Sequence, residues 1–399
     1  MIRFGLFFLL LFAPAAFGST YHPLDPLTIP GFVAFYNNDY DKAYAYFKNE
    51  LNAHRNDPDS YNHLAQVILY RELYRDGALE SELVSGSNPF LHSPKLNMSS
   101  HAKSEFTDCI ERSLTLNSAL LDKDSHDIHA LYSAGVAHGL SATYAFLIEK
   151  AWTTALNDAA AANKMNKQIL NLDPAFVDAR LIVGLYEYIV GNLPFYMRML
   201  GVIGGFRGDK EGGIQQIEEV RQHGVLSKYD AEILLAVIYR REHCPQLALP
   251  LLKQAASRFP GNYLLRLEQV QMYSDLGNKN AALEVLGQVE QLRRSGAPGY
   301  ERLPLEKLAY IRGNLLFWYN DLDGALSALA QATQKPRELD LSTEVMAWLR
   351  LGQTYDLKKS HGQAVKAYEK AIAAAPQSAV AEEAQGYISD PYRRKQKKS

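Results

Sequence analysis

From Tyr229 to Pro376 the chain repeats itself in spacing more than in letters. One copy places Leu235, Ala236, Tyr239, Ala248, Leu252, Ala255 and Pro260 at set intervals, and the next follows with Tyr273, Gly277, Ala282, Leu286 and Val289. With first positions at Tyr229 and Tyr263, the two copies stand one 34-residue repeat apart. Apolar residues at three- and four-residue steps predict amphipathic helices, and the prolines mark where second helices stop. Small residues let two antiparallel helices approach closely. A single hairpin of this size cannot cover its own apolar stripe, so neighbours must stack, and the result is an elongated all-helical array with a concave face.

The clearest copy reads Trp348, Leu351, Gly352, Tyr355, Ala364, Tyr368, Ala371, Pro376. This spacing resembles the tetratricopeptide repeat at every signature position. Gly352 and Ala364 are the expected point of close helix contact. A further copy carries Gly313, Ala325, Leu329 and Ala332, with its first position at Glu306. Upstream the copies become irregular: Asn38 to Ala43 with Phe47; Ala102, Phe106 and Cys109; Ala162, Ile169 and Pro174 with a long partner helix over 127–150; and Gly184 with Ile217 and Val220. The resemblance implies an all-α, right-handed α-solenoid of about eight helical hairpins whose usual business is holding other proteins. A shorter stretch, Gly205-Phe206-Arg207-Gly208-Asp209-Lys210-Glu211-Gly212-Gly213-Ile214, resembles the tetratricopeptide-repeat 39 and inclusion-body-clearance family, helical-repeat proteins associated with membranes and lipid handling.

Residues 1–18 read as a signal peptide: Arg3, an apolar run from Phe4 to Phe17, and small residues at Ala16 and Gly18 suited to cleavage. The run is shorter than a membrane-spanning helix requires, and an uncleaved anchor is the other reading. The remaining chain divides into irregular repeats over 19–122, divergent repeats over 123–224 with an apolar insertion at 191–209, regular repeats over 225–388, and a basic tail over 389–399. The leader points to a periplasm, or alternatively to secretion or a secretory lumen, where Asn97-Met98-Ser99 is a glycan acceptor sequence. With 42 basic against 44 acidic residues, and five of the cations in the last seven positions, the body is acidic, which disfavours nucleic acid as a partner. Two cysteines, Cys109 and Cys244, are too few for a disulfide framework and are expected to lie apart in a stack where hairpins touch only their neighbours.

Candidate contacts follow from the resemblance, which places the groove at the second, fifth, ninth, twelfth and thirteenth positions of each first helix. These positions select Arg240, Arg241, Gln271, Lys307, Tyr310, Asn314, Phe317, Trp318 and Gln353. Amide, cationic and aromatic groups of this kind suit an extended peptide. Lys307 with Asn314 is the only echo of the ladder by which related chaperone-tail binders clamp a terminal carboxylate. In the insertion, Phe195, Tyr196, Met199, Ile203 and Phe206 either pack internally or form an apolar contact surface. The glycines around them lack the ending of a phosphate loop. His126, His129 and His138 show no metal-ligand spacing, and no nucleophile motif accompanies them. The reading is an exported, non-catalytic scaffold without cofactor or metal that binds a protein or extended peptide, with peripheral membrane contact through the tail or insertion as an added option. A ligand-binding subunit accompanying a solute transporter is the alternative, and a hydrolase using the His126 region the third.

Overall fold

In the computed structural model, residues 23–79, 98–192 and 208–394 are described. The leader at 1–18, the apolar side chains Phe195, Tyr196, Met199, Ile203 and Phe206, Asn97 and the last five residues lie outside them. Among the described residues all regular structure is helical. Eight antiparallel hairpins follow in order: α1 (Pro30–Tyr36) with α2 (Tyr40–Ala53), α3 (Pro58–Arg75) with α4 (Ser100–Leu121), α5 (Ile128–Tyr144) with α6 (Trp152–Leu172), and α7 (Arg180–Gly191) with α8 (Lys210–His223). Then come α9 (Lys228–Arg241) with α10 (Pro245–Arg258), α11 (Tyr263–Asp275) with α12 (Lys279–Arg294), α13 (Leu305–Trp318) with α14 (Leu322–Ala332), and α15 (Leu341–Leu357) with α16 (His361–Ala374). A last helix, α17 (Ala379–Ser389), covers the end of the stack.

Local chemistry sets these boundaries. Asp39, Asp57, Asp127, Asp209, Asp321 and Asp340 each accept a hydrogen bond from a first-turn amide of the helix they precede. Every hairpin turn among the described residues holds one residue at positive φ: Asn38, Lys150, His243, Gly277, Asn320 and Lys359. The left-handed residue ends the first helix and reverses the chain in a few steps. His243 and Gly277 occupy the same position one repeat apart.

The two helices of a hairpin meet where the first carries a small residue. A Cβ on Gly184 would stand 2.6 Å from the Gly213 carbonyl oxygen, and one on Gly313 would stand 2.6 Å from Leu329. At Gly352 the partner is the ring of Tyr368. The sequence paired Gly352 with Ala364. Both are buried, but the large ring fills the notch that the glycine leaves.

One expectation fails. The hairpins do not touch only their neighbours, because the first ones pack along the inter-repeat turns of the later ones. Tyr36 stacks on Phe259 with ring centroids 4.9 Å apart and donates to Asp230 at 3.1 Å. Buried Asn38 donates to Asn262 at 2.8 Å, whose amide donates to the Tyr36 carbonyl at 3.0 Å. Lys228 reaches Asp25, Arg302 reaches Asp41, and a Cβ on Gly77 would stand 3.5 Å from Asp340. The largest apolar core accordingly joins Phe35, Phe47 and Phe106 to Leu252, Phe259 and Met272. Cys109 is buried there, Cys244 is half-buried, and both are free thiols.

Candidate partner-binding groove

The first helices of the later hairpins, α9, α11, α13 and α15, carry the groove positions. Arg240, Gln271, Lys307 and Tyr310 come together around one cavity of about 50 Å³, with Leu264, Leu267 and Ile311 in its wall. That space holds a few waters or the end of one side chain, far less than a small-molecule site needs. The cations arrive already matched. Arg240 donates to Glu268 at 2.5 Å, and the Lys307 ammonium donates to Asp340 at 2.8 Å with both Lys307 and Asp340 largely buried. Asp340 also caps α15 through the Thr343 amide at 2.9 Å. Burial alone would raise the Asp340 carboxyl, but the Lys307 charge and the Thr343 hydrogen bonds outweigh it and hold the group below its usual range. Gln271 donates to Asp275 at 2.7 Å, and burial pushes that carboxyl up.

A second cluster lies further along α13 and α15, centred on Arg350. Its guanidinium sits 4.6 Å from the Phe317 ring centroid and 4.8 Å from that of Trp318. It donates to Asn314 at 2.9 Å and to Gln353 at 2.7 Å, and Gln353 donates on to Glu383 of α17 at 3.3 Å. Trp318 remains 55% exposed, which leaves one face of an aromatic ring toward solvent beside a buried cation. Asn314, Trp318 and Gln353, all named from sequence spacing, therefore share one network. Arg241 does not join either cluster: it faces the Tyr188 ring on α7 at 5.7 Å.

Sequence reasoning missed Arg350, Glu268 and Asp340. Arg350 falls at the sixth position of its helix, which the repeat template assigns to packing. Only its charge between Leu349 and Leu351 hinted otherwise. Lys307 and Asn314 share a face of α13, yet each is engaged within the chain, so capture of a terminal carboxylate there requires displacing Asp340 or Arg350.

The histidines separate. His129 pairs with Asp59 at 2.7 Å, His138 with Asp158 at 2.8 Å, and exposed His126 lies 3.9 Å from Asp124. Among the described residues no group of three or more metal-ligating side chains converges, and no helix is long and apolar enough to cross a membrane. A larger cavity of about 300 Å³ sits where the early hairpins meet the α12–α13 turn, walled by Tyr40, Asp41, Arg71, Tyr74, Arg75 and Arg302.

The tetratricopeptide-repeat family model matches residues 347–378, which span most of α15 and all of α16. Residues 347–378 are thus a tetratricopeptide repeat. The match does not extend to Gly205–Ile214. Solved structures similar to the chain include yeast Tom70, at 11% identity and a TM-score of 0.40 over 92% of this chain and 88% of that one. YrrB, described as a TPR protein with an unusual peptide-binding site, is similar at 16% identity and a TM-score of 0.33 over 68% and 97%. A human IFIT1 dimer with m7Gppp-AAAA is similar at 14% identity and a TM-score of 0.44 over 90% and 78%. None of these three reaches a TM-score of one half, so their likeness says nothing about the partner. No protein of curated function matches the chain in sequence.

Proposed function

We propose that the mature chain is an exported, non-catalytic scaffold that binds a protein or an extended peptide along its first helices. The observation that carries this reading is the convergence of Arg240, Gln271, Lys307 and Tyr310, from three successive repeats, on the wall of one cavity, with Gln271 half-buried and Lys307 and Tyr310 buried behind it. Alternating amide, cation and aromatic groups along such a wall match the donors, acceptors and side chains of an extended backbone. The wall is rigid because its charges are held by Glu268 and Asp340, so binding orders only the ligand. At about 50 Å³ the cavity in this wall is too small for a solute, which favours an extended ligand at this site. Export rests on the leader at 1–18, and the basic tail adds an option of contact with an acidic surface.

The test is capture of partners from the native envelope by the mature chain and by a Leu267→Glu, Gln271→Glu variant. Both positions are half-buried in the cavity wall, so the substitutions recharge the groove without emptying the core. Loss of a captured partner supports the groove; an identical partner set from a folded variant overturns it.

A further inference from the structure

Past α17 the chain leaves the helix at Asp390, whose backbone is extended, and residues 391–394 return to Asp356 and Phe317. Pro391, Tyr392 and Arg394 are half-buried, and Arg393 alone of these four residues is exposed. The Tyr392 amide donates at 2.8 Å to Oδ2 of Asp356, a carboxylate whose side chain is fully covered. The same oxygen accepts from the Tyr368 hydroxyl at 2.7 Å, and Oδ1 lies 2.7 Å from His361 Nδ1. The Tyr392 ring packs on Phe317 and Tyr387, with centroids 6.0 and 5.3 Å apart. Arg394 lies 4.9 Å from the Phe317 ring centroid and donates to the Phe317 carbonyl oxygen. Phe317 and Asp356 both hold the twelfth position of their first helices, so this segment occupies the groove itself. Backbone amide to carboxylate, aromatic side chain into an aromatic notch, and guanidinium over a ring together make the full contact set of a bound extended peptide.

We propose that the end of the groove formed by Phe317, Asp356 and Tyr387 is a recognition site for an extended aromatic-X-arginine segment, and that the chain's own Tyr392–Arg394 fills it until a partner segment of the same chemistry displaces it. This rests on the scaffold reading and names the partner chemistry at one end of the groove. The tethered segment competes at an effective concentration in the millimolar range, so only a better-fitting or multiply anchored partner displaces it. Arg394 leaves room for improvement: its buried Nε has no hydrogen-bond partner among the described residues.

The probe is a labelled Ser-Asp-Pro-Tyr-Arg-Arg peptide, blocked at both ends and followed by fluorescence anisotropy. The full chain carrying Tyr392→Ser and Arg394→Ser is expected to bind it at least about tenfold more tightly than the unaltered chain. A peptide with serine at the tyrosine and second arginine positions is expected to bind neither. No saturable binding to the altered chain, or equal binding of the serine peptide, overturns the proposal. A second measurement needs no variant: the Tyr392 amide of the unaltered chain is expected to resist hydrogen exchange and to lose protection as peptide is added. An unprotected amide, or one indifferent to saturating peptide, overturns it equally. The outcome is separable from the scaffold reading, because partner loss in the Leu267→Glu, Gln271→Glu variant leaves the groove standing even where the peptide fails.

Discussion

Arg350 keeps a full charge at 8% exposure because four neighbours replace its water: the Phe317 and Trp318 rings and the Asn314 and Gln353 side-chain oxygens. Planarity is what lets one group stack and donate at once, so a point charge is a poor substitute. Arg350→Lys is expected to lower stability by about 1–2 kcal/mol in urea unfolding, and an unchanged midpoint would show that the fork is dispensable. His129 offers a pH readout. Its hydrogen bond to Asp59 raises the imidazole above its ordinary 6.5, while burial of Asp59 is outweighed by the histidine and the carboxyl is lowered from 3.8. The imidazole contribution is therefore complete below pH 6.5 and is lost as pH rises through the raised value. The carboxylate contribution is lost only as pH falls below 3.8. The stability gap between the chain and His129→Gln should be widest below pH 6.5 and shrink as pH rises above it; a constant gap would refute the linkage. Sequence spacing marked Asn314, Trp318 and Gln353 as groove residues. It could not place Arg350 among them, because the template describes positions and not the chemistry that a buried charge needs.

Helix contact within a hairpin depends on whether a notch faces a filler, and two glycines with opposite surroundings show it. A Cβ on Gly184 would meet the Gly213 backbone at 2.6 Å, so Gly184→Ala pushes α7 and α8 apart and is expected to cost about 1–3 kcal/mol. Gly287 sits inside α12, and a methyl placed on its Cα would meet nothing within 4 Å. Gly287→Ala is therefore expected to gain about 0.5–1 kcal/mol through helix propensity alone. Equal effects in thermal unfolding would contradict the notch argument. Hairpins over 229–376 were legible because both of their helices carry the period. The earlier ones were legible mainly as second helices: Gly31, Gly135 and Gly184 do form the close contact in their first helices, but the large signature residues around them depart from the repeat spacing. Positive φ at Asn38, Lys150, His243, Asn320 and Lys359 had no single sequence mark, because the turn tolerates any side chain that accepts a modest strain.

The stack closes on itself where Tyr36, Asn37 and Asn38 lie against Phe259, Gly261 and Asn262. Such a seam makes stability more than a sum of neighbour interfaces. Tyr36→Ala with Asn262→Ala is expected to enlarge the radius of gyration in small-angle scattering while leaving helical circular dichroism nearly unchanged. A compact double variant would show that the seam does not hold the stack closed. Over 229–376 the sequence alone determined the helices, their pairing and their order, because a 34-residue period is enforced by contacts between residues close along the chain. Only the tertiary structure decided that the first hairpins lie against the later ones, that Arg240, Gln271, Lys307 and Tyr310 share a wall, and that Tyr392 and Arg394 return to Phe317. Those contacts join residues tens to hundreds of positions apart. They depend on the small rotation added at each repeat, which no local spacing encodes.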